Sequence, residues 1–364
     1  MENRPLVGIL VSNKNDRRSV LELYQRYDRL NLHLFSFTPA DINWENQRIN
    51  GLSLKKGVWK QSSFAFPHVV YNRSYNKKTI TIQRLEDVIG PNKCFNKINY
   101  FNKWDLYNLL KESELNPYIP ETLSYDQANV SELLEKYHVV YIKPTYGFKG
   151  KSVYRVEQTN HGDVNISLHA LAPRYICRRN ESYQEKLDKL LVSENYMVQQ
   201  GVFIQRLNRR YFDIRVLVQK DISGDWAVST LACRVAYERY YNTSMCEFIY
   251  DAAEVIPLIF SQDKTKEIFQ SLREVSIAAA QAAEAHIGSL GELSVDFAID
   301  EQGKLWIIEL NGKPQKSIYK DIKSLKHKNL VYSRPLEYAY YLSQSSVFTH
   351  ESAEPVNEAS IQIR

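Results

Sequence analysis

Two apolar runs late in the chain, Leu293 to Ile299 and Leu305 to Leu310, each carry a carboxylate in their midst. Between them lies Asp300-Glu301-Gln302-Gly303-Lys304, a loop composition that turns one strand back on the next. The pattern predicts an antiparallel hairpin. Side chains alternate along a strand, so Glu309 and Asn311 of Trp306-Ile307-Ile308-Glu309-Leu310-Asn311-Gly312 share a face. Counting back through the loop sets Asp296, in Ser294-Val295-Asp296-Phe297, within about one position of facing Glu309. Two carboxylates and an amide then converge on one patch. Facing like charges repel, and burial sharpens the repulsion. A divalent cation would remove it, and oxygen donors suit Mg²⁺ or Mn²⁺ rather than zinc. The alternative is a wet strand face that leaves both acids in solvent. Ile307, Ile308 and Leu310 argue against full exposure.

Upstream, the apolar run from Val139 ends at Lys143 and enters Pro144-Thr145-Tyr146-Gly147-Phe148-Lys149-Gly150-Lys151-Ser152. Gly147 and Gly150 let backbone amides approach an anion, and the lysines would neutralise phosphate charge. The spacing is not that of a Walker loop. A basic hairpin turn with no ligand explains the same residues. Farther on, Asp213-Ile214-Arg215 opens an apolar strand, and Arg234 lies on the next one. A guanidinium on a central strand is costly unless it meets an anion or a carboxylate. A ligand contact and an internal ion pair with Asp213 both satisfy that requirement. His138 and His286 stand alone, and no Ser-His-Asp or Cys-His arrangement is visible.

The rest of the chain reads as alternating strands and helices. Leu6 to Val11 is a strand, Ser12 to Arg18 a polar loop, Val20 to Arg29 a helix, and Leu32 to Phe37 and Pro67 to Tyr71 two further strands. This opening predicts an α/β lobe over about residues 1–95. A helix follows at Lys103 to Lys111, with strands at Tyr196 to Gln199, Asp213 to Gln219 and Trp226 to Ala236, and a long alanine-rich helix at Lys264 to Ala285. The fold class expected is α+β, and a chain of this length suits two or three lobes. The Ser-, Glu- and Pro-bearing end, about residues 346–364, reads as a disordered tail.

Composition narrows the function. Of 364 residues, 44% are apolar and 24% charged, the balance of a globular protein. The net charge of +5 is small, and the basic pieces (Arg178-Arg179, Arg206 with Arg209-Arg210, Lys323 to Lys328) lack interleaved stacking residues, so nucleic acid is not the expected partner. Cys94, Cys177, Cys233 and Cys246 lie far apart and read as reduced thiols. No run reaches the length of a membrane span or a signal-peptide core. A soluble, cytoplasmic protein is expected.

Taken in chain order, these pieces resemble an ATP-grasp enzyme, which implies an ATP-grasp unit over about residues 96–345 made of two lobes, about 115–200 and 201–345. Lys103 in Asn102-Lys103-Trp104 is similar to that family's first ATP lysine, and Lys143 in Ile-Lys-Pro to its second. Gly147, Lys149, Gly150, Lys151 and Ser152 resemble its phosphate-covering loop, and Tyr196-Met197-Val198-Gln199-Gln200 the hinge that holds adenine. Asp213 resembles a ribose contact, Arg215 a phosphate or substrate contact, and Asp296, Glu309 and Asn311 the Mg²⁺ (or Mn²⁺) trio, with Arg215 and Arg234 the catalytic residues expected. More narrowly, Asn-Lys-Trp, Ile-Lys-Pro-x-x-Gly, Asp-Ile-Arg and Trp-Ile-Ile-Glu-Leu-Asn-Gly-Lys-Pro resemble the Bacillus endospore coat-associated YheC/YheD family.

The resemblance implies Mg-ATP binding and an amide-forming ligation of a carboxylate to an amine through an acylphosphate. The substrate would be an amino acid or a peptide, and the setting sporulation, with coat proteins as partners. Two departures accompany it. Gln200 stands where an acidic hinge residue is common, and the loop Ala236 to Met245 lacks glycine. Both fit the alternative of a catalytically inactive coat-associated protein that keeps the fold.

Overall fold

The computed structural model describes residues 4–75, 80–147, 150–191 and 195–344. The expected tail and Lys149 lie outside the described residues. Three sheets organise the chain.

The first is built on Leu6–Leu10, flanked in parallel by His33–Phe37 and Val69–Asn72, with Cys94–Phe95 beyond the latter. Parallel neighbours need a crossover, and the helix Asp16–Tyr27 supplies the first. It begins inside the segment read from sequence as a polar loop. The charged turn is tolerated because Arg17 packs inward and its Nη1 lies 3.3 Å from Asp41 Oδ2. The hairpin Arg48–Lys55/Val58–Ala65 extends this sheet beyond His33–Phe37.

The second sheet is wholly antiparallel, in the order Pro173–Cys177, Val164–Leu168, Tyr154–Gln158, Val139–Pro144, Tyr196–Gln200 and Thr122–Ser124. The helices Gln127–Tyr137 and Tyr183–Leu190 add Val130, Leu133, Leu134 and Leu187 to its core of Val140, Ile142, Val156 and Val198.

The third sheet runs Cys246–Asp251, Trp226–Ala236, Arg210–Lys220, Glu292–Ile299 and Leu305–Asn311, also antiparallel. The period of two splits it cleanly. Ile214, Val216, Val218 and Val295 pack with Ile268, Leu272, Val275 and Ala279 of the long helix Gln262–Ile287. Those helix positions recur every three or four residues, which makes one apolar stripe. The intervening strand positions, Asp213, Arg215, Gln219, Glu292, Ser294 and Asp296, are polar and still buried. Part of that second face is covered by the C-terminal helix Leu330–Gln344, whose Val331, Tyr332 and Leu336 share a core with Leu217 and with Ile9, Tyr24 and Tyr71 of the first lobe. No helix among the described residues is long and apolar enough to cross a membrane.

Candidate functional site

The uncovered part of the third sheet's polar face looks across a cleft at the end of the strand Val139–Pro144. Lys103, Lys143, Gly147, Gly150, Lys151, Gln199, Gln200, Asp213, Arg234, Asp296 and Glu309 all line this cleft. Arg215, Ser152 and Asn311 do not line it.

Lys143 ends the strand pointing into the cleft, and only 9% of the residue is exposed. Its Nζ donates to Gln199 Oε1 at 2.5 Å, and Gln199 Nε2 donates to Thr122 Oγ1 at 3.0 Å. These partners are neutral. Burial pushes the Lys143 ammonium down to about 8; Glu309 opposes the shift and Lys103 adds to it. A cation held dry among neutral groups is a ready acceptor of an anion.

Lys103 opens the helix Lys103–Lys111, whose start is fixed by Asn102: the Asn102 Oδ1 accepts from Trp104 N at 3.0 Å. The Lys103 backbone N donates to Thr145 O at 2.8 Å, which ties the helix to the glycine turn. Its Nζ donates to Gly147 O at 3.0 Å and lies 3.5 Å from Glu309 Oε1. One ammonium therefore links turn and hairpin. Gly150 has φ +64°, and a Cβ there would stand 2.3 Å from Asn242 Nδ2, so the turn needs glycine for both conformation and space.

The hairpin register pairs Asp296 directly with Glu309 and Ser294 with Asn311. The facing acids are not left to repel, contrary to the expectation from sequence. Arg215 Nε and Nη2 grip Asp296 Oδ1 and Oδ2, each at 2.7 Å, and Arg234 Nη2 adds a third bond to Oδ2 at 2.9 Å. Burial alone would raise the Asp296 carboxyl, but the two guanidinium groups outweigh it and hold it below the usual carboxylate range. Arg234 also forks onto Asp213, with Nε 2.7 Å from Oδ1. The internal pair left open by the sequence thus forms with Arg234, while Arg215 goes to Asp296. Asn311 Nδ2 reaches Asp296 Oδ2 at 3.5 Å. Glu309 keeps more freedom, with 27% of its side chain exposed. Among the described residues no group of three His, Cys, Asp or Glu could hold a metal.

The loop after the strand Trp226–Ala236 was noted from sequence only for lacking glycine, yet it forms one wall of the cleft through Tyr241, Asn242, Thr243 and Ser244. Thr243 Oγ1 donates to Asp213 Oδ2. Asn242 Nδ2 meets His169 Nδ1 at 3.0 Å, and the Tyr241 hydroxyl lies 3.0 Å from Val153 O. These bonds stitch the third sheet's loop to the second sheet. The cluster Tyr240-Tyr241-Asn242-Thr243-Ser244 was the sequence signal available, but it has no period and no spacing that names a partner. Ala298, Ile308, Phe212 and Val202 give the cleft an apolar lining beside these polar groups.

Two antiparallel sheets that close on a lysine-bearing cleft, one of them carrying an acidic hairpin, define the ATP-grasp fold. Solved structures agree on the fold. The ATP-grasp ligase PsnB, complexed with precursor peptide PsnA2 and AMPPNP, matches at TM-score 0.54 and 14% identity over 94% of this chain and 99% of that one. The D-alanyl-alanine synthetase A of Vibrio cholerae matches at TM-score 0.51 and 13% identity, over 94% and 97%. The family model described as YheC/D-like ATP-grasp matches residues 92–342, and the chain belongs to that family. Among curated relatives, endospore coat-associated protein YheD of Bacillus subtilis (strain 168) is 28% identical over 96% of this chain and 82% of its own length. Endospore coat-associated protein YheC of the same organism is 24% identical, over 94% and 98%.

Proposed function

We propose that this protein binds Mg-ATP in the cleft and joins a carboxylate to an amine, in association with the endospore coat. The observation that carries the reading is Lys143, a buried ammonium with a neutral partner at the cleft wall. A phosphate would supply the missing negative charge. Lys103 and Lys151 add positive charge from the helix start and the glycine turn. Gln199, Gln200 and Val202 offer amide and apolar edges to an adenine ring, and Ala298 and Ile308 a flat apolar surface. Asp213 lines the same cleft and would take a ribose hydroxyl beside its bonds to Arg234 and Thr243.

Glu309, Asn311 and Asp296 form an oxygen-donor set that fits a hard divalent cation in kind, Mg²⁺ or Mn²⁺. Glu309 is part-exposed and held only by its 3.5 Å pair with Lys103, while Asp296 would ligate only by giving up part of its arginine bonding. Bound nucleotide with its cation would supply a phosphoryl group that activates the carboxylate. Arg234, which lines the cleft, and Arg215, which stands behind Asp296, would offset the charge that develops, and the glycine turn would exclude water. The catalytic role assigned to the two arginines rests on their place beside Asp296. Amino acids and peptides are the substrates to try first, and spore-coat proteins the partners. The names of YheD and YheC support the coat setting.

A second reading has its own observation. All of the Asp296 carboxylate is engaged by Arg215 and Arg234, an arrangement that holds the hairpin without a metal. A coat-associated protein that keeps the fold and does no chemistry fits it. ADP release with pooled amino acids and peptides separates the two. Amine-dependent release, lost on Glu309→Ala, supports the ligase; its absence in a sample that binds Mg-ATP supports the inactive reading.

A further inference from the structure

A strip of aromatic and basic side chains runs from the glycine turn toward the first lobe, outside the residues that line the cleft. Tyr75, Tyr100 and Tyr146 are in ring contact, with centroids 5.5 Å apart for the first pair and 5.4 Å for the second. Tyr75 is 51% exposed and Tyr146 36%, so the row presents ring surface to solvent. Its near end is Tyr146, beside Gly147, whose carbonyl takes the Lys103 ammonium that also pairs with Glu309. Its far end is Lys313, with Nζ 4.5 Å from the Tyr75 ring centroid.

Among the described residues Lys313 makes no ion pair or hydrogen bond, and Asp16 is an acid whose charge reaches it while Arg73 opposes it. Arg73 stands close by and shares the Glu292 carboxylate with Lys316: Arg73 Nη1 lies 2.9 Å from Oε1 and Lys316 Nζ 2.6 Å from Oε2. One buried carboxylate thus serves two cations, and Lys313 has none of its own. Positive charge is in excess at this end. At the other end, the charge of Arg215 and Arg234 is matched by Asp296 and Asp213. An anion arriving from solvent is therefore drawn to the Lys313 end, while ring faces beside it cover carbon chain.

We propose that this strip is the docking subsite for the substrate to be activated, and that the substrate is dicarboxylic: a glutamyl or aspartyl unit. One carboxylate is held by Lys313 and Arg73, the tyrosines cover the stem, and the second carboxylate reaches the Asp296–Glu309 end. The unit is a free amino acid or the C-terminal residue of a peptide, where both carboxylates are free. The inference rests on the ligase reading given above and names its substrate class.

The test is calorimetric titration of L-glutamate and of an acetylated tetraglutamate peptide into the full chain, with and without Mg-AMPPNP. At least one probe binds the wild type. Lys313→Gln weakens it about tenfold or more, the loss of one charge-assisted contact, and Lys313→Arg restores it. AMPPNP affinity is unchanged by Lys313→Gln. Tyr75→Ala, at an exposed ring, also weakens the probe. Binding of glutamate identifies the free amino acid as sufficient; binding of the peptide alone identifies a polypeptide. If neither probe binds, or if Lys313→Gln binds like the wild type, the subsite is refuted. A probe that binds through Lys313 without supporting ADP release would instead count against the ligase reading.

Discussion

A lysine ammonium buried without a carboxylate against it raises the free energy of the folded chain, and Lys143 is in that position. Its proton is bound more weakly folded than unfolded, about 8 against 10.5. Between those values the unfolded chain holds more protons, so the free protein gains stability as pH rises through that window. Nucleotide binding has the opposite sign, because a phosphate needs the ammonium. Affinity for Mg-ATP is therefore level below about pH 7 and falls about tenfold by pH 9, a slope that Lys143→Ala abolishes; calorimetry across pH checks it. The two hairpin acids should separate in the same way. Asp296→Asn strips Arg215 and Arg234 of a buried partner and costs about 3–5 kcal/mol in urea unfolding. Glu309→Gln breaks a part-exposed pair with Lys103 at 3.5 Å and costs under about 1 kcal/mol, yet it removes metal-dependent nucleotide binding.

At the scale of elements, the cleft depends on two loops that lean on each other. Gly150→Ala would drive a Cβ into Asn242 and force an unfavourable φ, so it should loosen both the glycine turn and the Thr243–Asp213 contact. The expected result is an unfolding cost of about 1–3 kcal/mol together with weaker nucleotide binding, read by denaturation and calorimetry. Elements with a continuous apolar signal were legible in the sequence. The helix Lys103–Lys111 and the strand Trp226–Ala236 have the expected bounds, and the loop length between the hairpin strands fixed the facing of Asp296 and Glu309. The hairpin Arg48–Lys55/Val58–Ala65 escaped because its second strand is mostly exposed and polar. Its signal lay in the turn, where Lys56 and Gly57 both have positive φ. The helix Leu330–Gln344 was hidden by Pro335 and by a mixed run of tyrosines. In the cleft, a lysine ending an apolar strand could be read locally. The Thr243 and Asn242 contacts could not, since they exist only when two distant segments meet. The arginine grip on Asp296 was missed for the same reason: a strand pattern shows which face a charge takes, not which charge faces it.

At the scale of the whole molecule, the first lobe and the third sheet share one core and one buried polar knot. Burial would raise the Glu292 carboxyl, but Lys316 and Arg73 overcome it and hold it low, and Lys316 also donates to the Tyr24 hydroxyl at 2.9 Å. Lys316→Met leaves Glu292 with less of its countercharge and should cost about 3 kcal/mol or more, seen as a lower urea midpoint and faster proteolysis between lobes. The same knot keeps Arg73 beside Lys313, at the end of the strip proposed as the substrate subsite. The central claim, a cleft made for Mg-ATP, is tested most directly by calorimetry of Mg-ATP on the full chain against Lys143→Ala. Binding in the micromolar range that requires the divalent cation and disappears in the variant is the predicted result. A folded wild-type protein that takes up no nucleotide, or a variant that binds as well as the wild type, would contradict it.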